Sequence, residues 1–205
     1  MIMRYGFYID TSACSGCKTC QVACKDKNDL EGGLLWRKVI EIEGGNWKSN
    51  GDSWVELPFG YYVSLSCNHC ESPVCVEVCP TKAMHIEEHG IVLVDHEKCM
   101  GCEYCTWACP YDAPKIDKTL NKMSKCDFCH DRIISGKKPV CVESCPMRAL
   151  EFANLDELKE KYGSGEDIYP LPDRKITNPA IIIKPHKDSV KAESCKVKIS
   201  NREEI

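Results

Sequence analysis

Sixteen of the seventeen cysteines in this chain fall into four short runs. The third, CMGCEYCTWACP from Cys99 to Pro110, has the CxxCxxCxxxCP spacing at which three thiols wrap one cubane iron–sulfur cluster. Its fourth thiol, Cys109, is carried away by the chain and followed by Pro110, so it is expected to ligate a neighbouring cluster. Such a run needs a complement. The first run is Cys14, Cys17, Cys20 and Cys24; the second is Cys67, Cys70, Cys75 and Cys79, followed by Pro80; the fourth is Cys126, Cys129, Cys141 and Cys145, followed by Pro146. Four residues separate the second and third cysteines of the second run, and eleven those of the fourth. Loop insertions of this kind are tolerated where the thiol ends still meet.

Exchange of the fourth cysteines predicts four [4Fe-4S] clusters. Cys14, Cys17, Cys20 and Cys145 hold the first; Cys24, Cys126, Cys129 and Cys141 the second; Cys67, Cys70, Cys75 and Cys109 the third; Cys79, Cys99, Cys102 and Cys105 the fourth. Thiolate is the soft donor that iron in a sulfide cubane requires. Gly16 and Gly101, each just before the second cysteine of its run, would let backbone approach a cluster and aim N–H groups at sulfur. Two other readings of cysteine-rich chains fit less well. Disulfide scaffolds do not repeat one spacing four times, and tetrahedral zinc has no need of a third and fourth cysteine at these intervals. Cys195 lies outside every run and reads as a free thiol.

Little else in the sequence suggests chemistry. His69, His85, His89, His96, His130 and His186 are scattered, as surface or packing histidines are; His85, just past the second run, is the one candidate for a bond to a cluster or an approach to a quinone. No nucleotide fingerprint, P-loop or serine elbow is visible. With 27 basic against 31 acidic residues, no basic field argues for nucleic acid. Lys82, Lys98, Lys115, Lys125, Arg132, Lys137, Lys138 and Arg148 lie beside the cysteine runs, either offsetting cluster charge or simply solvated. The start of the chain lacks a secretory pattern, and no apolar run approaches the about 20 residues of a spanning helix, so no direct membrane span is expected. Redox centres without a substrate site make a wire.

The elements that position these runs follow from hydrophobic periodicity. MHIEEHGIVLVD reads as a β-hairpin turning at His89–Gly90, and Tyr5–Asp10 as a strand paired with Leu150–Ala153. The predicted fold is α+β: two bacterial-type two-cluster ferredoxin units, the outer one discontinuous over 1–30 and 116–163, the inner one inserted at 67–115. Residues 31–66 read as a β-ribbon insertion carrying Trp36, Trp47 and Trp54, a stripe expected to serve packing, with a tip available to a partner. LDELKEKYG after Asn154 fits a short amphipathic helix ended by Gly163. Residues 164–205, rich in proline, read as an extended arm that cannot bury itself alone and wraps a partner.

The segments YGFYIDTSACSGCKTCQVACKD, SCNHCESPVCVEVCPTKAMH, CMGCEYCTWACPYDAPK, KCDFCHDRIISGKKPVCVESCPMRALEF and PLPDRKITNPAIIIKP closely resemble the electron-transfer (beta) subunits of dimethyl sulfoxide reductase-type complexes, over residues 4–187. Related beta subunits serve nitrate, polysulfide and tetrathionate reductases and formate dehydrogenase. The nitrate reductase relative has Trp where this chain has Cys102, and the membrane-bound formate dehydrogenase relative carries a C-terminal span that this chain lacks. The resemblance implies a relay subunit, peripheral to the membrane, between a molybdopterin (Mo or W) catalytic subunit and a membrane anchor that oxidises menaquinol. It also implies that the Cys14 cluster faces the catalytic subunit and the Cys79, Cys99, Cys102 and Cys105 cluster faces the anchor.

Overall fold

In the strand β1 (Tyr5–Asp10), Phe7 and Ile9 point to one side and Tyr8 to the other, and all three are buried. A strand covered on both faces must lie inside the molecule, and the computed structural model, which describes residues 3–189 and 197–205, places it there. The chain continues through α1 (Thr19–Lys27), then β2 (Lys38–Asn50) and β3 (Ser53–Leu65), a long antiparallel ribbon with Lys38 opposite Leu65 and its turn at Gly51. α2 (Val74–Glu77) follows, then β4 (Met84–Ile86) and β5 (Val92–Val94), which form the hairpin expected around His89–Gly90, both in the left-handed region. After α3 (Tyr104–Ala108), β6 (Lys115–Asp117) and β7 (Lys122–Ser124) make a hairpin that the sequence pattern did not signal; the Asp117 carboxylate accepts from the Thr119 and Leu120 amides at its turn.

α4 (His130–Ile134), α5 (Val140–Glu143), β8 (Leu150–Asn154), α6 (Leu155–Tyr162), β9 (Ile181–Lys184) and β10 (Val197–Ile199) complete the order. β8 pairs antiparallel with β1, Ile9 opposite Leu150 and Tyr5 opposite Asn154, as expected from sequence. α6 is the predicted helix: the Asn154 side chain accepts from the Asp156 amide, and Gly163 ends it with a positive φ. Its Leu155 and Leu158 are buried, and Tyr162 stacks on Tyr8 at 3.6 Å.

Two expectations, one for the arm and one for the ribbon, are corrected. The arm does bury itself: Ile181–Lys184 pairs in parallel with β1 and completes the sheet order β8-β1-β9. Ile181 and Ile183 join the core of Phe7, Ile9 and Phe128, while Ile182 turns to the α6 side. The three isoleucines of the short apolar run Ala180–Ile183 thus make most of a strand, β9, each buried on one face or the other. The second correction concerns the tryptophans. Trp36 packs, its Nε1–H donating to Ser124 Oγ at 2.7 Å, but Trp47 and Trp54 stand exposed near the ribbon tip, where two strands alone offer nothing to bury them. At the ribbon's other end β10 adds a third strand, in the order β10-β2-β3.

Candidate metal centre

The first and third runs are built alike. β1 ends at Asp10, whose carboxylate accepts from the Ser12 amide at 2.9 Å and the Ala13 amide at 3.1 Å, while its carbonyl accepts from Cys14 N at 3.2 Å. β5 leads to Asp95, which does the same for Glu97 N at 2.9 Å, Lys98 N at 3.3 Å and Cys99 N at 3.0 Å. An aspartate four residues before the first cysteine thus folds each loop into its turn. Gly16 and Gly101 both have φ of +71°, and a side chain at either would collide, with the Tyr62 ring in one case and with Asn121 O at 2.6 Å in the other. Lys18 and Glu103 take the left-handed conformation next, and α1 and α3 begin.

The second and fourth runs share another design. The helices α2 and α5 have the same sequence, VCVE, and each follows a proline, Pro73 or Pro139. His69 and Phe128, and then Lys82 and Arg148, adopt left-handed φ at matching places. α1 packs against α5, and α2 against α3. The helices therefore associate first with fourth and second with third.

The thiols gather accordingly. Cys14, Cys17, Cys20 and Cys145 line one cavity, walled by Ile9, Val39 and Leu150. Cys67, Cys70, Cys75 and Cys109 line another, walled by Val92, Tyr111 and Pro114. Cys105 stands within electrostatic reach of Cys79, Cys99 and Cys102. Cys24 does so with Cys141 and Cys129, and Cys126 with Cys24. All sixteen are free thiols. Among the described residues, no three His, Cys, Asp or Glu side chains converge tightly enough for a single metal ion. A lone zinc needs its donors within about 2.3 Å, whereas a cubane spreads four thiolates over four irons, and the ringed cavities suit the wider group.

Electrostatics agree with that fit. Burial pushes the Cys24, Cys70 and Cys75 thiols up to about 12 and those of Cys105 and Cys129 to about 11. Thiols so placed become thiolates only when a metal takes the proton's place. Cys17 differs: it is exposed, and a hydrogen bond from Thr19 Oγ1 at 3.3 Å holds its pKa below the ordinary value. At Cys79 burial opposes ionisation, yet the Met84, Thr81 and Ala83 amides turned toward its sulfur bring the pKa down. Backbone N–H groups reach sulfur from Met84 to Cys79 and from Met123 to Cys99, each at 3.4 Å, as donors around iron–sulfur clusters do.

Several participants carry no sequence signature of the cysteine kind. Arg37, at 1% exposure, is the largest fully buried side chain of the described residues. Burial disfavours its charge, but Cys141, Cys20, Cys126 and Cys24 around it hold its pKa above the ordinary value. Lys125 is also buried, donating to Val92 O and to Cys126 O, the latter at 3.0 Å. Of the other cations beside the cysteine runs, Lys98, Lys115 and Arg132 pair with Asp95, Asp112 and Glu143. His69 is buried against Phe128, ring centroids 3.9 Å apart, and its Nδ1 accepts from Val92 N. His85 Nδ1 meets Ala83 O and Nε2 faces Glu87, so its described contacts run to these groups and to no cysteine. Asp10 and Asp95 had a readable signal, the shared D-x₃-C spacing of DTSAC and DHEKC. Arg37 had none, since its neighbours are read as an alternating ribbon. Cys195 lies outside the described residues.

The family described as a 4Fe-4S dicluster domain matches residues 58–155, spanning the second, third and fourth runs. The B subunit of the anaerobic dimethyl sulfoxide reductase of Escherichia coli (strain K12) is 51% identical over 189 residues, 92% of either protein. The probable anaerobic dimethyl sulfoxide reductase subunit YnfG of the same strain is 46% identical over 205 residues, the whole of both. The thiosulfate reductase electron transfer subunit PhsB of Salmonella typhi is 38% identical, over 81% of this chain and 84% of the relative. With the thiol groups described above, these likenesses place the protein in the family of anaerobic dimethyl sulfoxide reductase B subunits, iron–sulfur electron-transfer subunits that are not catalytic alone.

Proposed function

We propose that the chain relays electrons, one at a time, through four [4Fe-4S] clusters between a membrane anchor that oxidises menaquinol and a molybdopterin catalytic subunit of a dimethyl sulfoxide reductase-type complex. The observation that carries this is that two cavities are each lined by three thiols of one run and the fourth of its partner run, with Cys105 near Cys79, Cys99 and Cys102, and Cys24 near Cys129 and Cys141. The ligand sets are those groups: Cys14, Cys17, Cys20 and Cys145; Cys24, Cys126, Cys129 and Cys141; Cys67, Cys70, Cys75 and Cys109; Cys79, Cys99, Cys102 and Cys105. Clusters bound there would supply one-electron redox centres. The chain's own residues supply thiolates, exclude water and donate N–H groups to sulfur.

Successive groups are also neighbours. Cys20 faces Cys141 across the first and second, Cys126 faces Cys67 across the second and third, and Cys75 shares one core with Cys99 and Cys105 of the fourth. We read the first and fourth runs as an outer ferredoxin unit (1–30 with 116–163) and the second and third as an inner unit (67–115), the ribbon (31–66) inserted between them, and 164–205 as an arm whose strand belongs to the outer sheet. No helix of the described residues is long and apolar enough to cross a membrane. Exposed Met100, Tyr104 and Trp107, beside the fourth group, suit a face toward the anchor.

The test is anaerobic purification with the copurifying subunits. A brown complex with about sixteen irons per copy of this chain, four cubanes' worth, together with molybdenum or tungsten, is expected; a colourless zinc protein would overturn the reading. A thiosulfate-reducing partner in place of a sulfoxide-reducing one would keep the relay and change only the terminal substrate, an outcome the 38% identity to PhsB makes worth assaying.

A further inference from the structure

Arg37 poses an electrostatic problem. A guanidinium is charged at every accessible pH, and this one is 1% exposed. Its hydrogen bonds go to neutral acceptors only: Nη1 donates to Ser64 O at 3.2 Å and Ser64 Oγ at 3.1 Å, and Nη2 to Ser66 Oγ at 2.9 Å. Its Cζ lies over the Phe7 ring, 4.7 Å from the centroid, and among the described residues Nε has no hydrogen-bond partner. No carboxylate forms an ion pair with it among the described residues. A buried charge without a counter-ion is among the least favourable arrangements a fold can hold.

The missing negative charge is nearby. Cys20, Cys24, Cys126 and Cys141 are the groups that act on Arg37 most strongly, and Ser64 Oγ, which receives Nη1, lies 3.2 Å from Cys20 Sγ. These four thiols belong to two adjacent groups, one to the first and three to the second. Four thiolates give a cubane site net negative charge, and reduction by one electron makes it more negative.

We infer that Arg37 is the internal counter-charge shared by the first and second clusters, and that it holds their reduction potentials above the values the thiolate sites would otherwise impose. The inference rests on the four-cluster reading. A fixed cation in a low-dielectric interior stabilises the reduced form more than the oxidised form, so it eases electron arrival at the half of the wire remote from Cys102. Arg37 is a tuning residue and ligates nothing. The inner groups have a different cation, Lys125, which faces Cys75 and is already capped by two carbonyls.

The test is a potentiometric titration of the whole complex, followed by electron paramagnetic resonance, for wild type, Arg37→Met and Arg37→Lys, with iron counted in each. In Arg37→Met, one or two of the four midpoint potentials are expected to move to more negative values while the others stay, and Arg37→Lys is expected to remain near wild type. Wild-type potentials for every centre in Arg37→Met would overturn the inference, as would an equal shift in the lysine variant, which points to shape rather than charge. Should Arg37→Met fail to retain iron, retention by Arg37→Lys supports the counter-charge and loss in both overturns it. Wild-type protein with fewer than four centres would instead overturn the four-cluster reading, whatever the variants do.

Discussion

The thiols of Cys24 in α1, Cys141 in α5, Cys126 and Cys129 are all buried, and α1 packs on α5, whereas those of Cys79, Cys99, Cys102 and Cys105 are half buried at two of four positions. Around the second of these groups Met100, Tyr104 and Trp107 face outward, Trp107 at 74% exposure. Around the first, Arg37 and Phe128 close the interior. The same ligand chemistry thus occupies two environments. On the relay proposed above, the deep group ties α1 to α5 and the shallow group is the place for an electron to enter or leave.

Removing iron tests this difference most severely. If the proposed exchange of fourth cysteines ties the runs together through metal, chelation of the anaerobic protein should abolish hydrogen-exchange protection across β1, β8 and α1; native-like protection in the apo protein would refute that exchange. Point changes should then separate the two environments. Cys24→Ser is expected to prevent accumulation of folded chain, read as loss of soluble holo-protein. Cys102→Ser should leave the fold in place, block quinol-driven reduction of the complex, and spare activity with a soluble dye donor. Unchanged quinol activity would remove the fourth group from the entry end.

What could be read in the sequence follows the same division. The cysteine spacings and the hairpin at His89–Gly90 depend on local pattern, and the pairing of Tyr5–Asp10 with Leu150–Ala153 on the repeat of the ferredoxin unit around the runs; the structure contains both pairings. The return of Ile181–Lys184 to the free edge of β1 joins opposite ends of the chain, and a four-residue apolar run carries no mark of its partner. Arg37 was hidden for the opposite reason: polar residues in ribbons ordinarily face water, and only the fold reveals four thiols around this one. Asp10 was legible in principle, through its match with Asp95.

The arm and the first loop give smaller tests. Ile182, 1% exposed between β1 and α6, should cost about 2–5 kcal/mol on replacement by alanine, measured by urea unfolding; a loss under about 0.5 kcal/mol would return the arm to the role of a loose wrap. Asp10 has a pKa below its ordinary 3.8: burial opposes the charge, but Ser12, Lys184 and the Ala13 amide outweigh it. A carboxylate lowered in the folded state contributes stability above its unfolded pKa, and that contribution is lost as pH falls through the folded value. Wild type should therefore lose stability below about pH 4 more steeply than Asp10→Asn, and parallel profiles would detach Asp10 from the Cys14 loop.

The smallest effect on stability is expected at the ribbon tip. Trp54 is 66% exposed and pairs across the ribbon with Ser49, with no third strand at that end among the described residues. Large aromatic side chains usually stabilise by what they bury, and here there is little within this chain to bury against. Trp54→Ala should move the unfolding free energy by no more than about 0.5 kcal/mol, although tryptophan is among the residue types that most often dominate a protein interface. A loss of about 2 kcal/mol or more in the isolated holo-protein would mean that the tip folds back on its own subunit. Unchanged stability combined with weakened copurification of partner subunits would make the tip a contact, extending the contrast between buried organiser and exposed face from the thiols to the ribbon.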